Sequence, residues 1–154
     1  MSFSHDGRAV NRTLRPDAWP FALRGKRTFH FVGIEVDRHT EPLHPTDLLS
    51  RHSSILIKFL QYQQLVRERL FERHYGMSNV FVPIITVNEV HMRNMMDLAL
   101  RITDGQGFKW MLFRTMADLA SLERSPTPHF DLLAAPWQRA GNSPLTLLQE
   151  LNRD

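Results

Sequence analysis

Asp17, the triplet Glu35-Val36-Asp37 and the pair Lys58/Tyr62 are the residues whose types and spacing could support chemistry. Side chains alternate faces along a strand, so Glu35 and Asp37 share one face. That face also carries Phe29, Phe31 and Gly33, and the opposite face carries His30, Val32, Ile34 and Val36. Both are largely apolar, which predicts an interior strand covered on both sides. Two carboxylates thus continue a face begun by phenylalanines. An isolated ionised carboxylate is costly there unless it is paired, protonated or bound to a metal. With the preceding turn centred between Gly25 and Lys26, antiparallel pairing sets Asp17 opposite Ile34 and diagonal to Glu35. A one-residue bulge at Pro16 or Pro20 sets it beside Glu35. Asp17, Glu35 and Asp37 at adjoining strand ends would make a hard oxygen site suited to Mg²⁺ or Mn²⁺. Such an ion activates water and neutralises phosphate charge in hydrolysis. The plainer alternative is that Glu35 and Asp37 stand where the strand leaves the core and meet solvent or Arg38.

Lys58 and Tyr62 are spaced i, i+4 and share a helix face. Lys58 lies at the edge of an apolar stripe, where a lysine either snorkels to solvent or reaches inward to the acids. Lysine is scarce here: only Lys26, Lys58 and Lys109 occur, and the remaining basic residues are arginine. Arg15, Arg24, Lys26, Arg27 and Arg38 surround the acidic segments in sequence and could hold a DNA backbone or simply solvate a turn. The histidines form no HExxH or close HxH pair. His39 and His44 flank the acidic segment as surface loop residues. No GxSxG, phosphate-binding glycine loop or dinucleotide fingerprint is present.

The elements that must position these groups follow from periodicity and punctuation. Arg8–Leu14 reads as a strand or a lead-in, and Arg15–Leu23, with two prolines, as an edge or bulged strand. Arg24–Arg27 is a turn before the strand Thr28–Asp37. After a loop marked by Pro42 and Pro45, a helix is predicted from Thr46 or Ser50 to Tyr75, stopped by Gly76. Asn79–Val87 is a second buried strand in which Pro83 asks for a bulge or an edge. Thr86 and Glu89 form a capping box for a helix to Ile102, with Met92, Met95 and Met96 as core packing. Phe108–Arg114 is a third core strand, and Thr115 with Asp118 caps a short helix to Leu122. Beyond Glu123 the chain turns irregular: Ser125-Pro126-Thr127-Pro128 is a loop, and Trp137 lies in another irregular stretch. Ser143-Pro144 opens a last helix. Strand and helix alternate, which predicts an α/β or α+β layered domain. It divides into a core at 1–124 and a tail at 125–154 packed on the same domain.

Composition narrows the classes. The 154 residues, 42% hydrophobic and 23% charged, suit one globular domain rather than a disordered or fibrous chain. Cysteine is absent, which excludes disulfides, thiolate metal sites and a cysteine nucleophile. No apolar run approaches the roughly 20 residues of a membrane helix, and Met1–Gly7 has no apolar signal core, so a cytoplasmic protein is expected. The net charge of +3 leans only mildly toward anionic partners.

Arg15-Pro16-Asp17, then Glu35-Val36-Asp37-Arg38 with Thr40-Glu41, then Lys58 and Tyr62 in the next helix, resemble the PD-(D/E)xK nuclease superfamily. More narrowly they resemble the replication-relaxation family of plasmid and mobile-element proteins. The later Phe-rich strand and Ala135-Pro136-Trp137 are also similar, so the likeness covers about residues 8 to 140. The resemblance implies a mixed central sheet flanked by helices, with a site at the ends of two adjacent strands. It implies Asp17 and Glu35 as ligands of Mg²⁺ or Mn²⁺, Asp37 assisting, Lys58 and Tyr62 as catalytic partners, and Glu41 nearby. The superfamily places lysine two residues after its second acid. Here that position is Asp37, and the lysine stands in the following helix. The family also tends to carry a winged-helix DNA-binding region before this domain. The chain begins too late to hold one, which leaves open a trimmed chain, a shortened homologue or one half of a split system. The resemblance implies DNA as the substrate or ligand, with a homodimer or a partner protein supplying the winged-helix region as the assemblies to test.

Overall fold

Residues 2–5, 8–11, 13–18, 21–27, 29–38, 40–44, 54–118 and 131–153 are described by the computed structural model. The chain opens with an antiparallel hairpin of its own, β1 (Ser2–His5) and β2 (Arg8–Asn11). The strand expected over Arg15–Leu23 shortens to β3 (Phe21–Arg24), and residues 13–18 are irregular. β3 pairs antiparallel with β4 (Phe29–Val32), Phe21 opposite Val32 and Arg24 opposite Phe29. That register centres the turn one residue later than predicted, between Lys26 and Arg27.

The strand expected over Thr28–Asp37 is two strands. β4 ends at Val32, and β5 (Glu35–Asp37) resumes after Gly33 and Ile34. Burial on both sides holds for His30, Phe31 and Val32 but fails at the strand's two ends, where Phe29 is 51% and Val36 38% exposed.

The helix expected through Tyr75 breaks in two. α1 (Ile55–Arg67) is capped by Ser54, whose side chain accepts from the Ile57 N–H. Arg69 then adopts a left-handed conformation at φ 52° before α2 (Leu70–Tyr75). Arg67, Glu68 and Arg69 are all exposed, so no apolar side chain holds the helix straight there. Gly76 ends α2 at φ 69° as expected. The predicted start at Thr46 or Ser50 lies outside the described residues.

β6 (Asn79–Thr86) is the central strand, buried from Val80 to Thr86. It pairs parallel with β4 and β5 on one side and with β7 (Met111–Thr115) on the other. Pro83 is therefore neither at an edge nor in a bulge of its own strand. The Val82 N–H points to β7, bonding Trp110 O at 2.8 Å, so the nitrogen of Pro83 points the other way. On that side the ladder with β4 stops at Phe81 and the ladder with β5 starts at Ile84. The missing donor falls where the neighbouring strand is interrupted.

α3 (Glu89–Arg101) connects β6 to β7, and its cap is Asn88, which accepts from the His91 N–H at 2.9 Å. Thr86 belongs to β6 and makes no capping box. Thr115 ends β7, and a 3-10 turn, Met116–Asp118, follows as far as the described residues run. The expected helix to Leu122 and the Ser125–Pro128 loop lie outside the described residues. The tail is more regular than predicted: α4 (Asp131–Ala134), β8 (Trp137–Arg139), β9 (Asn142–Leu145) and α5 (Leu147–Arg153). β8 pairs antiparallel with β7, so the tail extends the sheet, and Trp137 is fully buried rather than in an irregular stretch. Ser143-Pro144 sits in β9, not at a helix start.

The result is a mixed seven-stranded sheet, ordered β3-β4-β6-β7-β8-β9 with β5 also on β6. α1, α2 and α3 cover one face through Phe59, Tyr62, Phe71, Met95 and Leu98 against Phe31, Val82, Ile84 and Phe113. The other face carries Val32, Phe81, Leu112, Trp137 and Leu147, with Leu132 and Leu133 packed on them.

Candidate functional site

Glu35 pairs with Ile84 and Asp37 with Thr86, so both acids stand beside the carboxyl end of β6 and face α1 and α3. α1 runs past them with Lys58 and Tyr62 one turn apart on the facing side. Lys58 Nζ lies 3.1 Å from Glu35 Oε2, 3.3 Å from Glu41 Oε1 and 3.9 Å from Asp17 Oδ2. Tyr62 Oη donates to the other Glu35 oxygen, Oε1. Tyr62 thus holds Glu35. Asp17 reaches the site without strand pairing: its Oδ2 accepts from the Val36 N–H at 2.9 Å, next to an Ala18 N–H bond to Ile34 O at 3.3 Å. The structure thus brings Asp17, Glu35, Lys58 and Tyr62 together from a loop, a strand and a helix, and adds Glu41.

Asp37 is held apart. Its Oδ2 accepts from Thr86 Oγ1 at 3.0 Å and lies 2.7 Å from His91 Nε2. The expected trio of Asp17, Glu35 and Asp37 does not assemble. Among the described residues no three His, Asp or Glu side chains are grouped to hold a metal ion by themselves. His91 and Thr86 were not anticipated from the sequence. The only signal is a histidine within the apolar stripe of α3, beside Met92 and Met95.

The electrostatics of Glu35 and Lys58 are unequal. Burial pushes the Glu35 carboxyl up to about 7, and the Lys58 ammonium and the Tyr62 hydroxyl offset this only in part. Burial disfavours the Lys58 ammonium too, yet Glu35 and then Glu41 and Asp17 hold its pKa above the usual lysine value. One cation answers to three acids, so Lys58 gains from the pairing while the deeply buried Glu35 remains undercompensated. Burial and then Glu35 hold the Tyr62 phenol protonated, far above its usual range.

Asp17 Oδ2 and Glu35 Oε2 converge on Lys58 Nζ, at 3.9 and 3.1 Å. With the ammonium moved aside, these two carboxylates could hold Mg²⁺, substrate and water completing its shell. The Glu41 Oε2 atom is buried without a hydrogen-bond partner, which marks unmet negative charge beside Lys58. The space enclosed by Glu35, Asp37, Lys58, Phe59 and Tyr62 is only about 10 Å³, about one water. A substrate must therefore approach from the Asp17 side, whose side chain is 43% exposed.

Arg15, Arg24, Lys26, Arg27 and Arg38 are all exposed. Arg15 and Arg38 flank site residues in the chain. Arg24, Lys26 and Arg27 occupy the turn at the far end of β4, on the order of 20 Å along the strands from Glu35, and are not brought to the acids. His44 is exposed, and His39 lies outside the described residues.

Compared with known proteins, the chain matches no family model, no curated protein and no solved structure. No helix among the described residues is long and apolar enough to cross a membrane.

Proposed function

We propose that this domain is a PD-(D/E)xK-like fold of the replication-relaxation kind, acting on DNA in plasmid or mobile-element replication or mobilisation. In this reading it hydrolyses phosphodiesters with Mg²⁺ or Mn²⁺ held by Asp17 and Glu35. The observation that carries the reading is the meeting of Asp17, Glu35 and Lys58 at one partly buried point, from three separate elements. The ion, when bound, supplies water activation and charge neutralisation at the phosphate. Lys58 stabilises negative charge developing on the phosphate, in a setting where burial strengthens the interaction. Tyr62 locks the Glu35 rotamer by donating to Oε1. Arg15 and Arg38 grip the DNA backbone beside the acids. The protein works in the cytoplasm, as a homodimer or with a partner carrying a winged-helix region.

A second reading makes the same fold a DNA- or protein-binding module without catalysis. It is favoured by the position of the Lys58 ammonium, which itself occupies the point between the acids. It is favoured as well by Asp37, which is engaged by His91 and Thr86 at the position where the superfamily has lysine.

Supercoiled plasmid incubated with millimolar Mg²⁺ or Mn²⁺ separates the two. The nuclease reading expects nicking or linearisation that Glu35→Ala lowers at least about 100-fold. Intact plasmid, together with salt-sensitive binding that survives Glu35→Ala, establishes the module instead.

A further inference from the structure

A second concavity adjoins the acidic site. It is a cleft of about 220 Å³ between α1, α2 and the loop before β3, lined by Phe31, Tyr62, Phe71, His74 and Tyr75 together with Leu14, Leu65 and Leu70, with Pro16 at its border. Tyr62 belongs to both spaces: its ring lines the cleft while its hydroxyl holds Glu35. Pro16 precedes Asp17 in the chain. A β-carbon placed on Gly33 would lie 3.5 Å from Tyr62 Oη, 3.6 Å from the Phe31 ring and 3.7 Å from Pro16. The cleft and the acids therefore meet over a residue with no side chain. Tyr75 stacks on Phe31 with ring centroids 5.3 Å apart, yet the residue is 59% exposed. An exposed aromatic ring, braced from behind, is a stacking platform.

We propose that this cleft receives an unpaired nucleobase of the DNA strand whose phosphate lies at the Asp17/Glu35 site. The inference rests on the DNA reading above and names its substrate class: single-stranded DNA, or a duplex with an unpaired end or flap. A flat aromatic base matches an apolar cleft with the exposed Tyr75 ring on its wall, because every base offers a π-face and stacks without sequence preference. A base inside a continuous duplex is already stacked and paired, and entering the cleft would forfeit both. The site thus discriminates by strandedness rather than by sequence.

The test measures fluorescence anisotropy of a labelled thymidine oligonucleotide, alone and annealed to its adenine complement. EDTA is present so that no cleavage intrudes. Wild type should bind the single strand at least about 10-fold more tightly than the duplex. Tyr75→Ala should weaken single-strand binding about 5- to 100-fold and leave duplex binding nearly unchanged. Tyr75→Phe, which keeps the ring, should bind like wild type. Because Tyr75 is largely exposed, these variants should fold. Equal affinity for both forms, or single-strand binding that survives Tyr75→Ala, overturns the inference and leaves the nuclease reading standing. Binding of neither form overturns the inference, and plasmid nicking then decides the nuclease reading separately. Strand-selective binding by a protein that never nicks plasmid keeps the cleft and removes the enzyme.

Discussion

Glu35 and Asp37 are two residues apart, on the same face of the same short strand, and both are buried, yet their surroundings differ in kind. Glu35 shares a lysine with two other acids, is pushed toward neutrality, and sits next to the exposed Asp17. Asp37 has a histidine and a threonine hydroxyl on one oxygen, from α3 and β6, deep against the helix layer. An acid whose partners are shared and incompletely matched is available for a cation or a reacting group. An acid with dedicated partners ties elements together. In the proposed reading Glu35 serves chemistry and Asp37 architecture, although their spacing on one strand face is the same for both.

The largest effect expected from this contrast is on stability. Asp37→Ala strands the His91 ring and the Thr86 hydroxyl in a buried site and should cost about 2–4 kcal/mol in urea unfolding. Glu35→Gln, which removes a poorly matched charge, should cost nothing at pH 7 and should raise stability there by about 1–3 kcal/mol. Equal losses would erase the distinction.

A smaller effect concerns pH. The folded-state pKa of Glu35, about 7, lies above its unfolded value of 4.5, so the folded chain binds this proton more tightly. The stabilisation is complete below about pH 4.5 and is lost as pH rises through 7. In EDTA, Glu35 should make the wild type lose on the order of 1–3 kcal/mol between pH 5 and pH 8. Glu35→Gln should remove that part of the slope. Tyr62→Phe should shift the midpoint upward, since its hydroxyl holds the Glu35 pKa down. Unfolding curves across that range check all three proteins, and a Glu35→Gln slope identical to wild type would contradict the assignment.

The part of the site carried by local pattern was legible in the sequence. Alternation placed Glu35 and Asp37 on one face, and the i, i+4 spacing placed Lys58 beside Tyr62. The step from Asp17 to Glu35 was reached through a strand register that does not exist. The contact is made instead by the Asp17 side chain on the Val36 amide. What escaped depended on partners distant in sequence. His91 lies 54 positions beyond Asp37, and no local period links them. Pro83 constrains its own strand by any local rule, whereas it is accommodated by the interruption between β4 and β5. The break at Arg69 is a single left-handed residue inside a pattern that otherwise continues. β8 and β9 are three and four residues long, too short for alternation to separate them from loop.

In the proposed function Asp17 and Glu35 are the cation ligands and Asp37 is not, and metal-induced thermal shifts test this directly. Ligand binding to the folded state raises its stability by mass action. Millimolar Mn²⁺ should therefore raise the melting temperature of wild type and of Asp37→Asn alike, and leave that of Glu35→Gln unmoved relative to its own metal-free value. No shift in wild type, or a shift lost in Asp37→Asn but kept in Glu35→Gln, would contradict it.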